Sequence, residues 1–305
     1  MLEAIKTWSD YRTKLREFDA VLEHGKAVSA ALTGLSPALP HVSYGEQIFV
    51  KLLGHCISLR RLAPDPTQQP REQWDLPSMS ALARCVIEAH DAFEYIAGHP
   101  VTESERSFRI RLWELHDATR RLKALGGIGS TDPAVAGILA DAARLQLALE
   151  GHEYISSLPE GLKAELRLRL RRSDPPDFHL SRRQCCALSG VNADWHKAVT
   201  MQLSQHVHTL PFSIHHLSQL QADTPHALRL VAMPLLFALP FLVRTIQGMD
   251  VLLPGRAPRP PSRTARTMAL WRGVADAEPQ PQAMSSASSS HGMAQQAAHA
   301  QGEGP

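Results

Sequence analysis

Leu230 to Val243 is a run of fourteen residues without a charge, closed at its ends by Arg229 and Arg244. It dictates what the rest of the chain must do. A helix that crosses a bilayer needs about 20 apolar residues, and this run is shorter and carries Pro234 and Pro240. We read it as a kinked helix buried in a protein core, around which the remaining segments must supply apolar faces. A membrane-associated chain using 228–253 stands as an alternative, with integral insertion not favoured.

The remainder has the means to build such a core. Of 305 residues 44% are apolar and 20% charged, too apolar for a wholly disordered chain. The formal net charge of +2 excludes the strongly basic profile of a dedicated DNA-coating protein. Sparse aromatics, 6%, beside abundant Ala and Leu weight the chain toward helix. The segment Met1–Lys6 lacks the basic and apolar blocks of a secretory signal. Cys56, Cys85, Cys185 and Cys186 form no CxxC and no regular framework, and chain neighbours such as Cys185 and Cys186 rarely bridge. The expectation is a cytoplasmic protein with reduced thiols.

Helical periodicity predicts helices over 3–33, 42–62, 78–96 and 102–125. The last opens on Thr102 with Glu105 three residues on, a capping-box signature, and stops at Gly126-Gly127. Asp132-Pro133 starts a fifth helix that continues toward Ser156. Residues 166–172 alternate like a strand, but Leu162, Leu166 and Leu170 also fit a spacing of four and no second strand is available. Helix is the reading there. Further helices follow over 181–189, 193–221 with a break near Pro211, and 225–250. The fold class is therefore all-α, a single domain of about eight helices over 1–252. Residues 253–305 read as a disordered tail. It holds five arginines between Arg256 and Arg272, then no Leu, Ile, Val, Phe or Trp from Ala275 onward.

The fourth helix carries the sharpest chemistry. Phe108, Leu112, Leu115 and Leu122 form its apolar stripe, and Arg109 and His116 lie within about 20° of each other on one flank. Arg111 lies about 140° from His116 and does not share that face. An Arg and a His so placed resemble the Arg-x(4–6)-His signature of HEPN ribonucleases, which are all-helical and metal-independent. That resemblance implies an imidazole moving the 2′-hydroxyl proton and a guanidinium stabilising the phosphorane. Ile110, which follows Arg109, departs from the polar residue usual there.

On the third helix Leu82, Val86, Ala89, Phe93 and Ile96 define an apolar side. Arg84, Glu88, Asp91 and Tyr95 share the opposite one, with Arg84 and Glu88 spaced to pair. Six of the sixteen histidines crowd 196–226: His196, His206, His208, His215, His216 and His226. His206 and His208 point to different sides of a helix and acids nearby are few, so no metal is expected. Phosphate-binding, dinucleotide, GxSxG and HExxH motifs are missing, and no cofactor is expected.

Trp74-Asp-Leu-Pro-Ser78, Ala81-Leu-Ala-Arg84 with Glu88, Phe93-Glu-Tyr-Ile96, Glu105-Arg-Ser-Phe-Arg109 with Leu112-Trp113, and Leu203-Ser-Gln-His-Val-His208 occur in this order. Together they resemble bacterial proteins grouped as domain-of-unknown-function family 5677, over about 45–245. The resemblance implies an all-helical fold with no assigned activity, and it marks Arg84, Glu88, Arg109 and His208 as a polar cluster shared between helices. His116 lies outside it. The expected function is a non-catalytic interaction or regulatory module, acting as a homodimer or on a protein partner. A ribonuclease using Arg109 and His116 is the alternative, and RNA is a partner only under it.

Overall fold

In the computed structural model the apolar run sits inside one continuous helix, and five other α-helices pack around it or around its immediate neighbour. The structure describes residues 2–34, 39–65, 74–218, 220 and 224–276. Among them are twelve α-helices and no strand: α1 Trp8–Leu32, α2 Pro40–Leu62, α3 Leu76–Phe93, α4 Glu103–Gly127, α5 Ala134–Glu150, α6 Glu153–Ser157, α7 Glu160–Arg171, α8 Arg182–Ser189, α9 Ala193–Val207, α10 Pro211–Ser218, α11 Pro225–Leu252 and α12 Ser262–Asp276. The all-α class holds. The count exceeds eight because Gly151 splits the fifth predicted helix into α5 and α6, His208–Leu210 separate α9 from α10, and α12 was not foreseen.

Helix α11 is long and apolar enough to cross a membrane, yet 83% of its most apolar window is buried inside the protein. Helices α1, α2, α3 and α12 all pack against it. Pro234 and Pro240 do not interrupt it. Each proline removes one backbone donor, so the carbonyls of Leu230 and Leu236 lose their usual helical partner.

Helix α3 is nearly as enclosed, held between α2, α9 and α11. Both of its predicted sides are therefore inside along the last turns: Phe93 and Ile96 in the apolar core, and Asp91 and Tyr95 in polar contacts described below. The close approach of α2 and α11 to Phe93 depends on missing side chains. A Cβ at Gly248 would lie 2.5 Å from the Phe93 ring, and one at Gly45 would lie 2.8 Å from Leu252.

A second apolar cluster lies apart from this core. Phe108, Leu112 and Leu115 of α4 meet Ile138, Leu145 and Leu149 of α5, Ile155 of α6, and Leu166 and Leu170 of α7. Leu166 and Leu170 thus fall on the buried face of a helix, as their spacing of four predicts.

The boundary at 252 is corrected. Thr264, Met268, Trp271 and Ala275 are buried along one face of α12, at spacings of four, three and four. The Trp271 indole N–H donates to Glu17 at 2.8 Å, and Lys14 stands 5.6 Å over the ring. Five arginines in an apolar-poor context hid this face. The rest of the expected tail, 277–305, lies outside the described residues.

Candidate functional site

The residues singled out in the sequence separate into two places. Arg84 and Glu88 pair on the surface of α3 at 2.9 Å, with side chains 34% and 52% exposed, and Arg84 also donates to Ser204 of α9 at 2.6 Å. His208 is exposed just beyond the C-terminus of α9, where its carbonyl accepts from Ser213. Arg109 is elsewhere, 1% exposed. The four do not converge, which corrects the expected cluster. Helices α3 and α9 do pack, but Arg109 belongs to α4, which meets α5 instead, and His208 lies beyond the end of α9.

Arg109 belongs to a buried polar seam at the C-terminal end of α3. There the helix widens into a π-helical turn, Glu94–Gly98, which leaves its last carbonyls without helical partners. Two arginines of α4, three residues apart, supply them. Arg106 donates to the carbonyls of Ile96 (2.8 Å), Ala97 (3.3 Å) and His99 (2.8 Å). Arg109 donates to the Tyr95 carbonyl at 3.0 Å, lies 4.7 Å over the Tyr95 ring, and is paired with Glu105 through Nε at 2.9 Å. The capping box is corrected in the same stroke. Thr102 does cap Glu105 N–H, but the Glu105 carboxylate turns to Arg109. Two guanidinium groups at a helix C-terminus also oppose the negative end of its dipole.

The seam continues through His99. A guanidinium can only donate, so the His99 Nδ1, 2.9 Å from Arg109, must accept. The ring is then neutral with its proton on Nε2, which donates to Ser189 Oγ at 3.0 Å; that hydroxyl donates in turn to the Cys185 carbonyl at 2.9 Å. Burial pushes His99 down to about 4, and the Arg109 and Arg106 charges add to the effect. Beside it, burial raises the Glu94 carboxyl to about 7, against the opposing pull of Arg244.

Two further ties close the region. Asp91 accepts from Arg182 of α8 and from His196 Nε2 of α9 at 3.1 Å. Arg244, the residue that ends the apolar run, donates to the carbonyls of Ser189 (2.8 Å) and Gly190 (3.1 Å) and pairs with Asp276 of α12. Gly190 takes the left-handed φ of 67° that ends α8. Deeper in the core, Thr245 donates to the Phe241 carbonyl, so His90 Nδ1–H donates to Thr245 Oγ1 at 3.0 Å; burial holds His90 down to about 3.

The chemistry this arrangement offers is limited. Desolvation raises Cys185 and Cys186 to about 11, which keeps both as thiols rather than nucleophilic thiolates. His116 bonds through Nδ1 to the Pro175 carbonyl at 2.8 Å, away from the seam, so it and Arg109 do not face a common space. His206 and His216 stack at 5.3 Å, and among the described residues no three His, Cys, Asp or Glu side chains gather as a metal site. An open cleft of about 540 Å3 lies between the start of α4 and the α5–α6 junction, and it takes in Arg111 and His152 but neither Arg109 nor His116.

Sequence reading missed Arg106, His99, Ser189 and Arg244 as members of the seam. The backbone carbonyls they serve carry no side-chain pattern. A weak signal was present in Arg106 and Arg109, two cations three residues apart in the first turns of a helix, where acidic residues are the favourable choice. No family model matches the chain, and no curated protein or solved structure does.

Proposed function

We propose that the chain is a non-catalytic helical module of the cytoplasm that acts through interaction or regulation, built on a core whose buried charges hold the fold. One observation carries this reading: Arg109 directs its hydrogen bonds to Tyr95, His99 and Glu105 of its own chain while 1% exposed. A phosphodiester could reach that guanidinium only by displacing all three. The burial of α11 supports a core role for 228–253 over a membrane role.

The test pairs stability with function. Across Arg106→Ala, Arg109→Ala and Arg109→Lys, a cellular phenotype of the gene should decline in step with the melting temperature. Purified wild type and His116→Ala should leave an RNA substrate equally intact. An Arg109→Lys protein that melts like wild type but loses the phenotype, or RNA cleavage that His116→Ala abolishes, would overturn the reading.

A further inference from the structure

The cleft beside α4 has features the buried seam lacks. Glu103, Ser107 and Arg111 follow one another at spacings of four along a single stripe of α4 and line one wall. Their helical rise places the two charged ends about 12 Å apart. His152 and Glu153, at the start of α6, form the facing wall. The volume of about 540 Å3 lies within the range of small-molecule sites, roughly 300–1,000 Å3.

What marks it as a binding site is a guanidinium without a partner in the chain facing the exposed carboxylates of Glu103 and Glu153. Arg111 makes no hydrogen bond or ion pair among the described residues, unlike Arg106 and Arg109 on the same helix. Glu103 and Glu153 likewise have no direct ion pair. Ser104 Oγ, also in the lining, is buried without a hydrogen-bond partner. His152 is fixed as a donor: its Nδ1 accepts from the Tyr154 amide at 3.3 Å, leaving the Nε2 proton directed to Ser107 Oγ at 3.5 Å. That bond leaves the Ser107 hydroxyl proton available. Burial and Arg111 both lower the His152 imidazole, so the ring adds no positive charge to the cleft.

The cleft therefore presents two carboxylates, one guanidinium and the Ser107 hydroxyl. We propose that it binds a free basic α-amino acid, arginine or lysine. The ligand carboxylate pairs with Arg111, and its two cationic groups, the α-ammonium and the side-chain cation, are taken by Glu103 and Glu153. The three charges of the ligand complement the three of the site one for one, and a bidentate guanidinium–carboxylate pair fixes the orientation. A neutral amino acid leaves one carboxylate unmatched, and an acidic one places like charges together. The site goes beyond the structural reading of the seam and does not depend on it.

Isothermal titration of the full chain with L-arginine and L-lysine tests this, with L-glutamate, L-norvaline and agmatine as comparators. Arginine and lysine should bind. Norvaline, which lacks the side-chain cation, and agmatine, which lacks the carboxylate, should each bind about tenfold or more weaker, the loss of one charge-assisted pair. Arg111→Met should make arginine and agmatine bind alike, and Glu103→Gln or Glu153→Gln should weaken arginine toward norvaline. These side chains lie outside both cores, so unchanged melts are expected and verify the fold. Absence of arginine and lysine binding at millimolar concentrations would overturn the proposal. So would binding that all three substitutions leave unchanged, or equal binding of glutamate.

Discussion

Arg109 and His99, ten residues apart in the chain, are joined by a 2.9 Å hydrogen bond that fixes the charge state of both the ring and its surroundings. The guanidinium donates, so the imidazole must be neutral and carry its proton on the far nitrogen. The same guanidinium closes the π turn through the Tyr95 carbonyl. An arginine that reads in sequence as a reactive group is thereby a cap on the preceding helix.

Removing it should be costly. Arg109→Ala leaves Glu105 without its cation and strands the Tyr95 carbonyl and His99 Nδ1, a loss of about 3–5 kcal/mol. Arg84→Ala removes a solvated pair and should cost no more than about 1 kcal/mol. Chemical denaturation of the two variants beside wild type checks the contrast. Equal losses would show that burial does not separate these two arginines.

Acid should destabilise the protein through its imidazoles. Burial lowers His90 and His179 to about 3 and His99 and His206 to about 4, each from 6.5. The unfolded chain takes up protons below pH 6.5 that the native rings refuse, so this contribution is present above 6.5 and is lost as pH falls toward about 4. The melting temperature should fall steadily across that window. A flat profile would contradict the neutral, buried state of these rings.

Glu94 has the opposite sign. Its folded value near 7 exceeds the 4.5 of an ordinary glutamate, so the native state keeps a proton that the unfolded chain releases. The contribution is fully present below about 4.5 and is lost as pH rises through 7, on the order of 3 kcal/mol in all. Glu94→Gln, which keeps volume without charge, should raise the melting temperature above pH 7 and change it little near pH 4.5. Destabilisation above pH 7 would mean that the ionised carboxylate is held by Arg244 after all.

Helix α12 should behave as part of the core. Truncation after Leu252 removes buried Met268, Trp271 and Ala275 and the partner of Arg244. Loss of the Trp271 side chain alone is worth about 3–5 kcal/mol. The truncated chain should melt lower or fail to fold, and proteolysis of the intact protein should spare the chain through about 276. A stable fragment ending near 252 would restore the shorter domain.

How much of this was legible follows from what each signal depends on. The charge-free run announced α11 because burial needs only composition, and the Arg84–Glu88 pair was visible because its partners are four residues apart. Arg109 was visible as an unusual residue, and Glu105 stands four residues before it, but its other partners, the Tyr95 carbonyl and the His99 ring, lie in the preceding segment, and no helical spacing records those. Helix α12 did carry a readable signal in Thr264, Met268, Trp271 and Ala275. Five arginines and the flanking prolines outweighed it in the compositional reading.

Nitrogen-15 NMR of the His99 ring across a pH titration reads its tautomer and charge. A single neutral form, protonated on Nε2 with a bare Nδ1, should persist from neutral pH to about 5 and be lost in Arg109→Ala. A ring that titrates near 6.5, or that carries its proton on Nδ1, would contradict it, because Arg109 would then have no acceptor there and would be free for other chemistry.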